Sequence, residues 1–137
     1  MKFIDEKHKQ FYENKLKELQ QYGKTDCYYR SITYCLSICE TTRDHFDNLF
    51  NIEKGEININ ALQAAYQTST SLKVTRAAFS LWNSCNYDSE EDLENDKVSE
   101  YYNISNIFCS SYAPYIYEAI KIRYPEYTHE RTKKWKK

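Results

Sequence analysis

The sequence predicts an all-α fold, a compact single-domain bundle of five to six helices over residues 1–128 with a basic flexible tail over 129–137. Three observations carry this. Two glycines and two prolines in 137 residues are too few for the tight turns that a β-rich chain consumes. Apolar residues recur at steps of three, four and seven, the spacing of one helix face. Hydrophobic residues make up 41% of the chain, so a chain of this length can bury a core without disulfide or metal staples.

A first helix is expected after Asp5, an N-cap preceded by the apolar Phe3 and Ile4, with Phe11, Tyr12, Leu16 and Leu19 on its inner face. Gly23 closes it at the left-handed C-cap position. Thr25 or Asp26 opens a second helix whose stripe reads Tyr28, Ile32, Leu36, Cys39, Phe46 and Phe50. Arg43 interrupts that stripe where a hydrophobe is expected. Residues 51–58 read as a polar link around Gly55, and a short helix then carries Ala61, Leu62, Ala65 and Tyr66. The run Thr68-Ser69-Thr70-Ser71 caps a fourth helix from about Leu72 to Trp82. Its apolar residues nearly encircle it, which places it centrally beside the second helix. The stretch from Tyr87 to Tyr102 is expected as an acidic surface loop with one helical turn at its middle. Ser105 caps a fifth helix to about Tyr112; Pro114 starts a sixth and Pro125 ends it.

A net charge of −1 excludes bulk attraction to polyanions, so direct nucleic-acid binding is confined to the basic tail with Trp135 among its lysines. The charge is unevenly spread: residues 88–100 hold Asp88, Glu90, Glu91, Asp92, Glu94, Asp96 and Glu100 against Lys97 alone. No signal peptide and no apolar run of bilayer length is expected. Five scattered cysteines suit reduced thiols in a cytoplasmic protein. Fourteen tyrosines suit a wet-edged core or an adhesive face.

Arg43 and Arg76 lie on helices expected to be buried. A guanidinium cannot enter a core unpaired, so both predict acceptors, with Glu40, Asp44 and Glu118 as candidates. One reading is a structural ion-pair network. The other is a pocket for an anionic ligand such as a nucleotide or phosphorylated metabolite, using Arg43, Arg76, Thr68, Ser71 and Lys73, with Glu40 and His45 nearby. The Thr68–Arg76 run fits that pocket, because a helix start attracts phosphate through free N–H groups and its dipole. Ser and Thr at a helix start are also ordinary caps, the reading preferred here, and no glycine-rich phosphate loop is present. His45 beside carboxylates has the makings of a general base, but it lies off the Arg43 face. Neither a nucleophile motif nor a zinc or calcium ligand set is present, so no cofactor or metal is expected.

The strings from Ile38 to Phe46, Tyr66 to Ser71, Val74 to Phe79, Leu81 to Asn83, Tyr112 to Tyr115 and Glu118 to Tyr127 carry a resemblance. Over most of residues 3–127 the chain resembles a family of short uncharacterised proteins, a domain of unknown function, from low-GC Gram-positive bacteria and their phages and mobile elements. Tyr66 stands where that family has tryptophan. The resemblance implies context rather than chemistry. With small size and no catalytic set, it leads to the expectation of a non-enzymatic protein-binding protein, such as an inhibitor of a host defence nuclease or nucleotide-signalling component. Asp88, Glu90, Glu91, Asp92 and Glu94 form the expected partner contact. The alternative is a small enzyme or sponge at the Arg43/Arg76 pocket.

Overall fold

A computed structural model describes residues 1–128; the predicted tail lies outside them. Two cap signals set the first helix, α1 (Glu6–Gln21). The Asp5 carboxylate accepts from the His8 N–H at its start, and Gly23, at φ +70°, follows its end. Tyr12 and Leu19 are buried, and Phe11 and Leu16 pack half-buried beside them. α2 (Cys27–Leu36) is capped by Asp26 and is almost wholly interior from Ser31 onward.

The structure corrects the second predicted helix. It stops at Leu36 and gives way to α3 (Glu40–Asp44) and α4 (Phe46–Leu49). Side chains that take the end carbonyls explain the break. Thr42 Oγ1 donates to the carbonyls of Leu36 at 2.6 Å and Cys39 at 3.1 Å. Arg43 Nη1 donates to those of Ser37 at 2.9 Å and Ile38 at 3.2 Å. Carbonyls that a continuous helix would bond internally are satisfied from the next turn. The predicted stripe fails at its first position alone: Tyr28 is exposed and Tyr29 takes the inner place, while Ile32, Leu36, Cys39, Phe46 and Phe50 are buried.

The polar link at 51–58 is a small antiparallel hairpin, β1 (Phe50–Asn51) with β2 (Glu56–Ile57), in register Phe50 to Ile57. The next predicted helix is a 3-10 turn over Ile59–Gln63, which leaves Ala65 and Tyr66 outside it. The central helix, α5 (Ser69–Asn83), is as expected. Thr68 and Ser71 form a reciprocal capping box at its start. Val74, Ala77, Ala78, Phe79 and Leu81 are buried along it.

Within the acidic stretch, Ser89 caps a single helical segment, α6 (Glu90–Glu94), and a 3-10 turn follows at Glu100–Tyr102. The fifth predicted helix is shorter and starts earlier. Asn103, not Ser105, caps α7 (Ile104–Ile107), because its carboxamide reaches the Asn106 N–H at 2.8 Å. α8 (Ala113–Arg123) carries Pro114 in its first turn and ends before Pro125, which opens the brief α9 (Pro125–Thr128). The core lies where α2 packs on α5 and α8. The fold is compact and mostly helical, with the hairpin as the two-stranded exception among the described residues.

Candidate functional site

Each cation and hydroxyl of the expected anion site has a protein partner of its own. Arg43 is half-buried and bonded to main-chain carbonyls rather than to Glu40, Asp44 or Glu118. A cation facing the open end of α2 is favoured there by the helix dipole as well as by hydrogen bonding. Glu40 and Asp44 are exposed, and Glu118 pairs with Lys121 at 3.7 Å. Arg76 is buried, with 9% exposure. Its Nε donates to Asp88 Oδ1 at 3.1 Å, and its guanidinium lies 4.9 Å from the Tyr101 ring centroid and 6.0 Å from that of Tyr102. Burial thus does demand a carboxylate at Arg76, but the carboxylate comes from the acidic loop.

The helix start is engaged in the same way. Ser71 Oγ accepts from the Thr68 N–H and donates to Gln67 Oε1 at 2.6 Å, while Thr68 Oγ1 accepts from the Ser71 N–H. Lys73 Nζ donates at 2.9 Å to both the carbonyl and the side-chain oxygen of Asn106, tying α7 to α5. His45 Nδ1 lies 3.0 Å from the Thr41 carbonyl, and its ring stacks on Tyr66 with centroids 3.6 Å apart and planes within 9°. The Tyr66 hydroxyl continues to Asn48 at 2.6 Å. These contacts tie together the ends of short elements.

The acidic segment is differently placed. Asp88 is neutralised by Arg76, and Asp92 is half-buried in the α6 start with its N–H on Ser89. Glu90, Glu91, Glu94 and Glu100 are exposed, and none of them pairs with a cation among the described residues. Interleaved with them stand large apolar side chains facing solvent: Leu93, Val98, Tyr101 and, at 77% exposure, Ile104. Single exposed hydrophobes are ordinary; here four of them fall within twelve residues of sequence, 93–104, among exposed carboxylates. The loop is held at both ends. Gln63 Nε2 donates to the Asp88 carbonyl, Asn60 Oδ1 accepts from the Glu90 N–H, and the Ser99 N–H donates to the Asn86 carbonyl.

Beside this segment an apolar cleft of about 160 Å³ opens between α5, α7 and α8, with Ala77, Leu81, Ile104, Ile107, Ile116 and Ile120 among its walls. Sequence reasoning did not find it. The available signal was the placing of apolar residues without helical period inside a strongly charged loop. No group of three metal-ligating side chains occurs among the described residues, and no helix among them is long and apolar enough to cross a membrane.

Fold and surface together define a small, mostly helical protein whose interior cations are bonded to its own acceptors and whose exposed face combines carboxylates with apolar side chains. The chain belongs to a family of unknown function, DUF6075, whose sequence profile matches residues 1–136. No curated protein and no solved structure matches it.

Proposed function

We propose that this chain is a non-enzymatic binding protein that engages a protein partner through the 88–104 segment. One observation carries the reading: unneutralised carboxylates there alternate with solvent-facing Leu93, Val98, Tyr101 and Ile104, while Arg43, Lys73 and Arg76 are held by protein acceptors. A partner with basic surface would be steered by the charge and retained by the apolar contacts. The resemblance noted from the sequence extends the proposal to its setting. The chain is phage- or mobile-element-encoded and cytoplasmic, and its partner is a host defence component. A nuclease fits best, because a row of carboxylates imitates a nucleic-acid backbone.

The test is affinity capture from host lysate with mass spectrometry, run in parallel on the natural chain and on Glu90→Lys/Glu91→Lys/Glu94→Lys. A partner held by the first and released by the second is expected. Equal capture by both removes the acidic face from the interaction. The competing reading, a nucleotide or phosphate sponge at Arg43 and Arg76, is tested by thermal shift with nucleotides and inorganic phosphate. A ligand at 100 times its Kd adds about 2.7 kcal/mol, so a true sponge would be unmistakable. No shift is expected.

A further inference from the structure

The cleft beside the acidic segment has the shape of a socket. Ile116, Ala77 and Ile107 form walls that are 1%, 4% and 7% exposed, while Ile104 stands at the rim, 77% exposed. An apolar cavity of about 150 Å³ accommodates a benzene-sized group; the cleft measures about 160 Å³. It therefore suits one aromatic or branched aliphatic side chain and is too small for a helix face.

The socket is built in advance of any occupant. Lys73 fastens α7 to α5 through its two bonds to Asn106, and Asn106 Nδ2 in turn donates to the Tyr101 carbonyl at 2.6 Å. Arg76 fixes Asp88 on one side and lies against Tyr101 and Tyr102 on the other. The Tyr102 hydroxyl donates to the Tyr87 carbonyl at 2.8 Å, joining the far end of the acidic loop to the cleft wall. Lys73 and Arg76, two of the three cations that resemble anion ligands in the sequence, are positioning residues for this face. A preformed site lowers the ordering cost of binding. Charge states what flanks the anchor. Glu100 lies two residues before Tyr102, a wall residue, and the loop fixed beside it carries exposed Glu90, Glu91 and Glu94.

We infer that the cleft between α5, α7 and α8 receives a single apolar anchor side chain from a basic segment of the partner protein. This rests on the reading of residues 88–104 as the partner face and adds the chemistry of what that face recognises.

The probes are the synthetic peptide Lys-Arg-Phe-Arg-Lys, its alanine-centred analogue Lys-Arg-Ala-Arg-Lys and the acidic control Glu-Glu-Phe-Glu-Glu. Each is titrated into the full chain while the δ1-methyl NMR signals of Ile104, Ile107, Ile116 and Ile120 are followed. The phenylalanine peptide is expected to shift these methyls and to bind at least tenfold more tightly than either control. Ile104→Glu, at an exposed position that should leave the fold intact, is expected to weaken it at least tenfold, and added salt to weaken it progressively.

Equal binding of the phenylalanine and alanine peptides, or shifts confined to other residues, would overturn the inference. So would a concentration-dependent dimer of the natural chain that Ile104→Glu abolishes, since the occupant would then be a second copy. Peptide binding seen only in a Trp135→Ala chain would assign the cleft to the protein's own basic end and equally overturn it. The two readings fail separately. A captured partner that is lost on charge reversal but binds Ile104→Glu as well as the natural chain leaves the acidic face standing and removes the socket.

Discussion

Among single residues, His8 states most directly what the interior demands. Its ring has no exposed surface, and it lies among Phe3, Tyr34 and Tyr115. Nδ1 accepts from the Ile4 N–H and Nε2 donates to the Tyr34 carbonyl, both at 3.2 Å. Both bonds use the neutral imidazole, because protonation would convert the acceptor nitrogen into a donor. Burial lowers its pKa from 6.5 to about 4, against the opposing bond to Tyr34; Arg43 lowers it further and Asp5 raises it. The sign follows from linkage. Below pH 6.5 the unfolded chain takes up a proton that the folded chain refuses until about pH 4, so this contribution is fully present above 6.5 and lost as pH falls toward 4. The slope is at most about 1.4 kcal/mol per pH unit. Urea midpoints of the natural chain and of His8→Gln, followed from pH 7 to 4, should converge as pH falls, since the variant lacks this titration. Parallel curves would remove His8 from the balance. Residue-scale legibility in the sequence was uneven for a definable reason. That Arg76 must be paired followed from its place on an apolar helix, but Asp88 lies in a loop twelve residues on. The Asn106 partner of Lys73 lies thirty-three residues away. A sequence shows that a buried charge needs an acceptor; only the fold shows which one it meets.

At the scale of elements, the hairpin between α4 and the 3-10 turn depends on Gly55 in two ways. Its φ of +65° lies in the left-handed region, and a Cβ there would fall 2.5 Å from the Tyr29 hydroxyl oxygen and 3.5 Å from the Trp82 ring. Gly23 has nearly the same φ, +70°, but a Cβ there would meet nothing within 4 Å. The left-handed conformation alone costs a non-glycine residue about 1–2 kcal/mol. Gly23→Ala should lose about that amount in urea unfolding, and Gly55→Ala should lose clearly more, since Tyr29 packs on Phe50 and Trp82 and cannot withdraw freely. Equal losses would show that the hairpin yields to the added methyl. The same pair shows what was readable. α1 and α5 were expected nearly where they lie, because Asp5, Gly23, Thr68 and Ser71 are local cap signals at their ends. The region from Ser37 to Tyr66 was not, for two reasons. Thr42 and Arg43 end α2 by reaching back five and six residues to its last carbonyls, a pattern that apolar spacing does not encode. Strands of two residues are also too short for alternation to register.

For the molecule as a whole, the cysteines report whether the core opens as one unit. Cys35 is completely buried on α2, its thiol directed at the Val74 carbonyl of α5 at 3.5 Å, and burial pushes that thiol well above the usual range. Cys39 and Cys85 are also buried, Cys27 is half-buried and Cys109 is exposed. A thiol reacts as its thiolate and only when reached by the reagent. Cys109 should therefore label at nearly the rate of an unfolded peptide. Cys35 lies on the face of α2 that α5 covers, and α8 packs on the same helix, so local fraying at a terminus or in the acidic loop does not uncover it. Its labelling should be slowed by the equilibrium constant for global unfolding, on the order of 10³ to 10⁸ for small domains. The measurement compares the Cys35 labelling rate, read by mass spectrometry of the digested chain, with the constant obtained from urea unfolding of the same protein. Agreement would make the contact of α2 with α5 part of the last structure to open. Labelling of Cys35 a hundredfold faster than that constant allows would mean that α2 separates from α5 while the rest stays folded. The acidic face and its cleft would then be mounted on a core that opens in parts, because α5 supplies both Arg76 and the cleft walls Ala77 and Leu81.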